Sequence, residues 1–347
     1  MKGKLLKIFY NGRVIQNQVP ANFKEKDSIL FENDLTIHLP QSGLYILKNV
    51  FVTNLGVIYK NLVAEKENII CYDLDFKKYK LKYFLKSFLK FRKLKYTGNK
   101  AIIIFDNYSG PNGFAHWICD GLTRLAEVND KLCEYTVIVP SYFKEQNIYS
   151  QSLNFFNVTS YHYLENDTLT YFNELYFPSH IGDTGNFHPD NIKKLKSIIN
   201  SHIELPELRC KNIYISRAKA NRRFVENESD VVKLLNKYDF EVVYMEDHSF
   251  TEQIKIVKSA LNIISIHGAA LTMLMFAEEG TAVLELRSET DRINNMYFLI
   301  SNVCKLNYSY LACKSVEQAK TANNFNITVN MEDLQKAIEF MKPTYSS

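Results

Sequence analysis

The feature that most constrains the fold is a regular alternation of short apolar runs and amphipathic segments, which begins at residue 101. The apolar runs predict buried strands at 101–105, 135–139, 175–177, 212–215, 241–244, 262–266 and 282–286. The segments between them carry apolar residues at helical spacing and predict helices at 114–129, 146–156, 192–203, 228–237, 251–260 and 270–276. Strands that alternate with helices build parallel sheets covered by helices, so the predicted fold class is α/β.

The chain of 347 residues is long enough for two domains of roughly 100–200 residues each. The Leu-Pro-Glu stretch at 205–207 interrupts the alternation and is the predicted linker. We therefore predict an N-terminal domain over 1–204, a C-terminal domain over 205–330 and a terminal helical segment over 331–347. Residues 1–75 contain apolar runs separated by turn residues, which predict strands and hairpins.

Residues 77–96 contain nine basic and no acidic side chains, and their apolar residues recur at helical spacing. This pattern predicts a basic amphipathic helix. Two interpretations are open: a surface helix that packs on its own domain, or a helix that lies on an anionic membrane surface. The formal net charge of the whole chain is only +4, which does not favour a nucleic-acid-binding protein.

The six cysteines are scattered without a C-x-x-C pair, so we expect neither a zinc site nor a disulfide framework. The apolar runs are too short for a signal peptide or a membrane span of about 18 residues. The predicted location is the cytoplasm, at the inner face of the plasma membrane if the basic helix binds lipid. Asp73 and Asp75 form a D-x-D pattern, but no compact cluster of metal-binding side chains accompanies it, so no metal is expected.

A candidate site in the second half of the chain lies just after the predicted strands, where ligands bind in open parallel sheets. His267 and Gly268 follow one strand and begin a helix, whose free N–H groups suit a diphosphate. The alternative is an ordinary strand-to-helix turn without a ligand. Arg217 follows another strand, with Arg222 close behind, and arginine matches phosphate oxygens. Glu285 lies among apolar residues and needs donors, which a ribose diol or a nearby arginine can supply.

A second candidate site follows the first strand of the alternation. Asn112 and Gly113 lie in the turn, and His116 and Asp120 are four residues apart on the helix, so their side chains share a face. Either group could take a proton from an acceptor hydroxyl, or the two could be a local pair that stabilises the helix. Trp117, the only tryptophan, either packs in the core or stacks on a sugar.

Four motifs, in this order and spacing, resemble the family 61 glycosyltransferases. They begin with Phe114-Ala115-His116-Trp117, Tyr214-Ile215-Ser216-Arg217, Phe240-Glu241-Val242-Val243 and Ile266-His267-Gly268-Ala269-Ala270-Leu271-Thr272. The resemblance extends over about 101–290. It implies a GT-B fold, with two facing Rossmann-like domains and an active-site cleft between them. It also implies inverting, metal-independent transfer from a nucleotide sugar, often a UDP-sugar, which serves as co-substrate without any other cofactor.

The resemblance also implies roles for particular residues. The implied donor-binding residues are Arg217, Arg222, His267, Gly268, Ala269, Leu271, Thr272 and Glu285. The implied acceptor-side residues are Asn112, Gly113 and Trp117, with Asp120 and His116 as the catalytic pair. The implied partners are a nucleotide sugar and a glycan or lipid-linked glycan acceptor, in the synthesis of a bacterial capsule or other surface polysaccharide. The alternative is a non-catalytic nucleotide-sugar-binding or scaffold protein of a polysaccharide assembly complex.

Overall fold

The computed structural model describes residues 3–65, 80–111, 113–182, 184–204, 208–291, 294–316 and 326–341. The chain forms two compact units, of which the first comprises Met1–Arg13 and His38–His202 and the second comprises Val14–Ile37 and Ile203–Ser347. The predicted first domain therefore needs a correction, because residues 14–37 belong to the second unit. Phe31 packs there against the rings of Phe298 and Tyr310, and neighbouring sequence gives no sign of partners so distant along the chain.

The first unit is built on a large sheet. The strands in this part of the chain are β1 (Lys4–Tyr10), β2 (Arg13–Gln16), β3 (Thr36–Leu39), β4 (Ser42–Thr53), β5 (Ile58–Lys60), β6 (Val63–Ala64), β7 (Arg92–Lys95), β8 (Ala101–Ile103), β9 (Thr136–Pro140), β10 (Tyr161–Leu164) and β11 (Thr168–Pro178). The described strands of the large sheet follow the order β10-β9-β8-β11-β4-β5-β6, with β1 also beside β4 and β7 also beside β11. The short strands β2 and β3 pair with each other.

This sheet is mixed, whereas the sequence predicted parallel sheets. Strands β7 to β11 pair in parallel, but β4 pairs antiparallel with β11, β1 and β5. The apolar runs at 44–47 and 50–52 form one continuous strand, β4, and the predicted hairpin is the antiparallel pairing of β4 with β5. The length of β4 lets it pair with β11 from Leu44 opposite Pro178 to Thr53 opposite Leu169, and this long antiparallel ladder joins the two halves of the sheet.

The α-helices described in the first unit are α1 (Leu81–Lys90), α2 (Phe114–His116), α3 (Thr123–Val128), α4 (Asn147–Leu153) and α5 (Pro189–Asn200). Shorter 3₁₀ segments lie at Asn129–Glu134 and Ser141–Lys144, and a π-helical turn, Trp117–Leu122, joins α2 to α3. The predicted basic helix over 77–96 is wrong in its second part. The helix ends at Lys90, because the backbone becomes extended at Phe91 and the following residues pair with β11 as strand β7. Residues 77–79 lie outside the described residues.

The second unit contains the predicted parallel sheet. Its strands are β12 (Lys211–Ile215), β13 (Phe240–Val243), β14 (Ala260–Ile266), β15 (Ala282–Ser288), β16 (Asn307–Ser315) and β17 (Ile327–Thr328). Its helices are α6 (Glu228–Asn236), α7 (Phe250–Ser259), α8 (Met296–Val303) and α9 (Met331–Met341), with 3₁₀ segments at Glu25–Leu30, Glu32–Asp34, Met245–Asp247 and Ala269–Phe276. The capping box predicted at the start of α7 is confirmed, since Ser249 and Glu252 bond reciprocally.

The strand order of this sheet is β13-β12-β14-β15-β16-β17, and only β17 at the edge is antiparallel. Chain order therefore reverses between β12 and β14. In open α/β sheets, ligands bind in the crevice beyond the carboxyl ends of the strands at such a reversal. The strand order therefore predicts a ligand site at the loops that follow Ile215 and Ile266.

Candidate active site

The loops after β12 and β14 meet tightly in the second unit. A Cβ atom built on Gly268 would lie 2.4 Å from Nη1 and 2.7 Å from Cζ of Arg217, which leaves no room for a side chain. The backbone of Gly268 is extended, with φ 174°, so its conformation does not itself require glycine. A larger residue here would require the Arg217 guanidinium, which lies directly against the backbone, to move away.

Arg217 is buried, and its charge has no carboxylate partner among the described residues. Its Nη2 donates to the carbonyl oxygen of Arg222 at 3.2 Å, while its Nε is buried without a hydrogen-bond partner. Arg223 repeats this arrangement nearby, with a buried, unpartnered Nε and a left-handed backbone at φ 63°. Burial, together with the nearby charge of Arg223, lowers the pKa of Arg217. The buried guanidinium of Arg217 and the half-buried one of Arg223, neither in an ion pair with a carboxylate of the described residues, form a candidate site for an anion.

Sequence reasoning selected Arg217 and Arg222 in this loop and did not select Arg223. The structure leaves Arg222 exposed, whereas Arg223 is half-buried, and its charge acts on Arg217. The signal available in the sequence was the consecutive pair of arginines after Asn221, but it does not tell which of the two points inward.

His267 and Glu285 form a buried pair at the ends of β14 and β15. His267 Nδ1 donates to Oε1 of Glu285, and the hydroxyl of Tyr308 donates to Oε2 at 2.5 Å. Burial alone would raise the pKa of Glu285, but the charge and hydrogen bond of His267 outweigh it and lower the pKa. Glu285 is therefore an ionised carboxylate that fixes the orientation of the His267 ring.

The ribose contact predicted for Glu285 does not agree with this geometry. The residue has no exposed surface, and each carboxylate oxygen already accepts a hydrogen bond from a side chain. The alternative, an interaction with Arg287, is present as a charge effect without direct contact, since the charge of Arg287 helps to lower the pKa of Glu285. Arg287 donates instead to Oδ1 of Asn295 at 2.8 Å and to the carbonyl oxygen of Asp291 at 3.0 Å. Glu285 acts on a ligand only through His267.

The segment after Gly268 differs from the predicted α-helix. Ala269–Phe276 is a 3₁₀ helix, and Leu271 and Thr272 are completely buried in it. Both side chains pack in the core, so a donor contact at either residue, which stays a prediction, would be made by its backbone. Ala269 is partly exposed, and the first N–H groups of a helix lack partners within it. The backbone at Ala269 is thus the part of the segment that can bind an anion.

In the first unit, Asp106 is the buried centre of a polar network beyond strand β8. It accepts hydrogen bonds from Nη2 of Arg124 at 2.9 Å, Nε2 of His180 at 3.2 Å and the backbone N–H of Tyr108 at 2.9 Å. Burial raises the pKa of Asp106, but the His180 hydrogen bond and the Arg124 charge reverse this and hold it well below its usual range. The network fixes the loop that leads into helix α2.

We expect Asp106→Ala to destabilise the protein by about 3–5 kcal/mol, because it leaves the buried guanidinium of Arg124 without its counter-charge. Thermal unfolding of both proteins measures this as a lower Tm. Glu174→Ala is the matched control, since it removes an exposed ion pair with Lys48 at 2.9 Å and costs at most about 1 kcal/mol. Equal losses of stability in the two variants would contradict the structural role of Asp106.

His116 and Asp120 lie together at the surface of the first unit, joined by a third residue that sequence reasoning missed. Nδ1 of His116 lies 3.1 Å from Oδ2 of Asp120 and 3.2 Å from Oγ1 of Thr184, and that hydroxyl donates to the same carboxylate oxygen at 2.8 Å. Thr184 follows strand β11, which is parallel to β8, so both loops emerge at the same edge of the sheet. Only the tertiary fold brings Thr184 to this pair.

The burial of the two residues distinguishes their chemical roles. The side chain of Asp120 is 5% exposed, whereas that of His116 is 27% exposed. Burial lowers the pKa of His116, but the hydrogen bond and charge of Asp120 outweigh it and raise the pKa overall. Asp120 therefore orients His116 through Nδ1, and Nε2 of His116 is the ring nitrogen left to act as a base.

The helix around this pair is unusual, because Asp120 lies in the π-helical turn Trp117–Leu122. Such turns inside helices are frequent at functional sites. Arg124 contributes to holding the turn, since its Nε donates to the carbonyl oxygen of Asp120 at 2.8 Å. The buried network around Asp106 and the His116–Asp120 pair are thus physically connected through one arginine.

Two of the residues predicted on the acceptor side, Trp117 and Gly113, make structural contacts within the first unit. Trp117 is fully buried, its Nε1 donates to Oγ of Ser152 at 2.8 Å and its ring packs edge-on against Phe143, so of the two alternatives the structure supports packing in the core. A Cβ atom on Gly113 would lie 2.0 Å from the carbonyl oxygen of Tyr108, so Gly113 serves the tight turn before helix α2. Asn112 lies outside the described residues.

Residues 114–284 match the family model Glycosyltransferase 61. The matched range starts in the helix that carries His116 and Asp120 and includes Arg217, His267 and Gly268. The match supports the resemblance found in the sequence motifs, and with it a glycosyltransferase activity.

The chain is also similar to Protein O-linked-mannose beta-1,4-N-acetylglucosaminyltransferase 2 from two animals. It is 32% identical to the Bos taurus protein over 73 residues and 26% identical to the Xenopus tropicalis protein over 110 residues. These segments make up 20% and 30% of this chain, and 12% and 19% of the two relatives. The similarity therefore covers less than a fifth of each relative and supports a glycosyltransferase without defining donor or acceptor.

Two further observations concern metals and membranes. Within the ranges that the structure describes, no three His, Cys, Asp or Glu side chains are grouped so as to hold a metal ion. Asp73 and Asp75 lie outside those ranges. The described helices include none that is both long and apolar enough to cross a lipid bilayer.

Proposed function

We propose that this protein is an inverting, metal-independent glycosyltransferase. It transfers a sugar from a nucleotide sugar, UDP-linked as the family resemblance implies, to a hydroxyl group of a glycan or lipid-linked glycan in surface polysaccharide synthesis. The observation that carries the proposal is the buried Arg217 beside the half-buried Arg223, beyond a reversal in strand order and with no ion pair to a carboxylate of the described residues. A nucleoside diphosphate supplies the negative charge that this site lacks. The GT-B fold and a cytoplasmic location are part of the same proposal.

The proposed reaction assigns the acceptor to the first unit. Nε2 of His116 takes the proton from the acceptor hydroxyl, while Asp120 holds the ring and stabilises the resulting imidazolium. The acceptor oxygen forms a bond to the anomeric carbon as the bond from that carbon to the diphosphate oxygen breaks. Attack from the face opposite the leaving group inverts the anomeric configuration.

The donor is assigned to the second unit. The leaving diphosphate gains negative charge as its bond to the sugar breaks, and Arg217, Arg223 and the N–H groups at Ala269 stabilise that charge. Arginine keeps its charge even where burial lowers its pKa, since its ordinary value is above 12. His267, held by Glu285, adds a hydrogen-bonding group beside the diphosphate. The two arginines thus supply electrostatic stabilisation from the chain itself.

The proposal is tested by thermal shift of the purified protein against nucleoside diphosphates and nucleotide sugars, with and without EDTA. A ligand at 100 times its Kd adds about 2.7 kcal/mol of stability and raises Tm measurably. Stabilisation by one nucleoside diphosphate, indifferent to EDTA, is the expected result and identifies the base. Stabilisation lost in EDTA would overturn metal independence. Binding without turnover of any acceptor would favour the non-catalytic scaffold instead.

The stereochemistry of the reaction needs a separate experiment. Once a donor and an acceptor support turnover, nuclear magnetic resonance of the product during the first turnovers gives the anomeric configuration directly. We expect it to be opposite to that of the donor. Retention of configuration would overturn the single-displacement step with His116 as base.

We expect the turnover rate to fall as pH is lowered through the pKa of His116, because only the neutral imidazole can accept a proton. Asp120 raises this pKa above its ordinary value of about 6.5, so the acid limb of the pH–rate profile lies above pH 6.5. Asp120→Asn removes the raising charge and leaves burial, so the limb moves to lower pH. A limb that does not move in this variant would contradict the assignment of His116 as base.

A further inference from the structure

Helix α1 presents two parallel stripes of different chemistry to solvent. Leu81, Leu85 and Leu89, spaced four residues apart, are 49%, 47% and 79% exposed. Lys82, Lys86 and Lys90 form the neighbouring stripe at the same spacing and are also exposed. We call these the leucine stripe and the lysine stripe. At 3.6 residues per turn they are adjacent along the whole length of the helix.

A third face of α1 packs on the first unit. Phe84 and Ser87 are buried, and the ring of Phe84 contacts those of Phe51 and Tyr59 at centroid distances of 5.9 and 4.9 Å. The leucine stripe is therefore additional to the core-facing side. A helix that only covers its own domain needs one apolar face, whereas α1 has a second one in solvent.

The lysine stripe has no ion-pair partner in the part of the chain that the structure describes. Within the described residues, none of its three ammonium groups forms an ion pair, and α1 contains no acidic side chain. Strand β7 continues the basic surface, with Arg92, Lys93 and Lys95 exposed. The surface thus combines unpaired positive charge with exposed leucines.

We propose that α1 docks on an anionic lipid bilayer by its leucine and lysine stripes. The helix lies in the plane of the interface, with the leucine stripe at the boundary of the acyl chains and the lysine stripe among the anionic headgroups. The proposal combines the two interpretations left open by the sequence, because α1 packs on its own domain by one face and leaves a second apolar face exposed. A nucleic acid would engage the lysines but give the leucines no partner. The docking is independent of the proposed transferase activity.

The test is co-sedimentation of the full chain with phosphatidylcholine vesicles, either pure or mixed with phosphatidylglycerol, at low and high salt. We expect binding to the mixed vesicles only, weakened by salt. The triple variant Lys82→Gln, Lys86→Gln, Lys90→Gln should lower the partition coefficient about 100-fold, since each lysine contributes roughly a factor of five near an anionic surface. The matched control changes Lys26, Lys237 and Lys314, all exposed in the second unit, to Gln and loses the same charge. It should bind normally.

The leucine stripe is tested separately by replacing Leu81, Leu85 and Leu89 with Gln. We expect at least a tenfold lower partition coefficient while the lysines are intact, since burial of even part of three leucine side chains contributes that much. The fluorescence of buried Trp117 and the melting temperature report that every variant is folded. No binding to anionic vesicles, or normal binding by either triple variant, overturns the proposal. A change from dimer to monomer in the leucine variant also overturns it, since a second copy would then cover the stripe.

Discussion

Replacement of His116 with Ala is expected to lower kcat roughly 100- to 10,000-fold while leaving the affinity for the nucleoside diphosphate unchanged. A positioned general base contributes about this factor, and the acceptor hydroxyl would have to lose its proton to water instead. The diphosphate site is built from residues of the second unit, which the substitution does not touch. Steady-state kinetics with saturating donor and calorimetry with the diphosphate measure the two quantities independently.

The control for this experiment is His202→Ala, which removes an exposed histidine of the same unit and should change neither quantity. Asp120→Asn separates the two members of the pair. If Asp120 only orients His116 and stabilises its charge, the asparagine variant keeps some activity and loses less than the His116 variant. A larger loss in Asp120→Asn than in His116→Ala would instead make the carboxylate the base, which the sequence left open.

The second unit could be largely predicted from the sequence because its signals are local. The predicted strands β12 to β15 are short runs of apolar residues, and helix α7 carries its own start signal in the capping box of Ser249 and Glu252. Helix α8 and strand β16 lack such signals and were not predicted. The rule that ligands bind beyond the ends of parallel strands then sufficed to select Arg217 and His267. Both lie at the reversal of strand order between β12 and β14.

The first unit was harder to predict because its sheet depends on pairing between distant segments. Strand β4 is one long strand because it pairs along its length with β11, and no residue near β4 in the sequence indicates that partner. The same dependence on distant partners explains why the sequence placed residues 14–37 in the first domain although they belong to the second unit. Tyr310 donates through its hydroxyl to Asp27 at 2.6 Å, and Asn295 donates to the carbonyl oxygen of Leu30 at 2.6 Å. Such contacts assign the segment to the second unit.

Within the sites, the sequence predicted which residues matter better than what each one does. Glu285 was expected to meet a ribose, but its two oxygens are taken by His267 and Tyr308. Trp117 was expected either in the core or on a sugar, and its hydrogen bond to Ser152 places it in the core. A residue's partners decide its role, and these partners come from other elements of the fold.

Replacement of Arg217 with Met is expected to have two effects of opposite sign. The Kd for the nucleoside diphosphate should rise roughly 10- to 150-fold, because each hydrogen bond to a charged group contributes about 1.5–3 kcal/mol. The Tm of the ligand-free protein should rise, since the substitution removes a buried charge that has no counter-charge among the described residues. Calorimetry and thermal unfolding without ligand measure the two effects. Arg222→Met, at an exposed position, is the matched control and should change the Tm little.

Gly268→Ala tests the same contact between Gly268 and Arg217 by changing the glycine instead of the arginine. An added methyl group would lie 2.4 Å from Nη1 of Arg217, so the guanidinium must move away from the backbone. Diphosphate affinity should therefore fall as in Arg217→Met, but the Tm of the free protein should fall too, because a clash is introduced and the buried charge is kept. If Arg217 were a structural residue rather than a ligand-binding one, both substitutions would lower the Tm. If Arg217 instead binds an anion and has no ion-pair partner of its own, Arg217→Met should raise Tm and Gly268→Ala should lower it. Both substitutions should then weaken diphosphate binding.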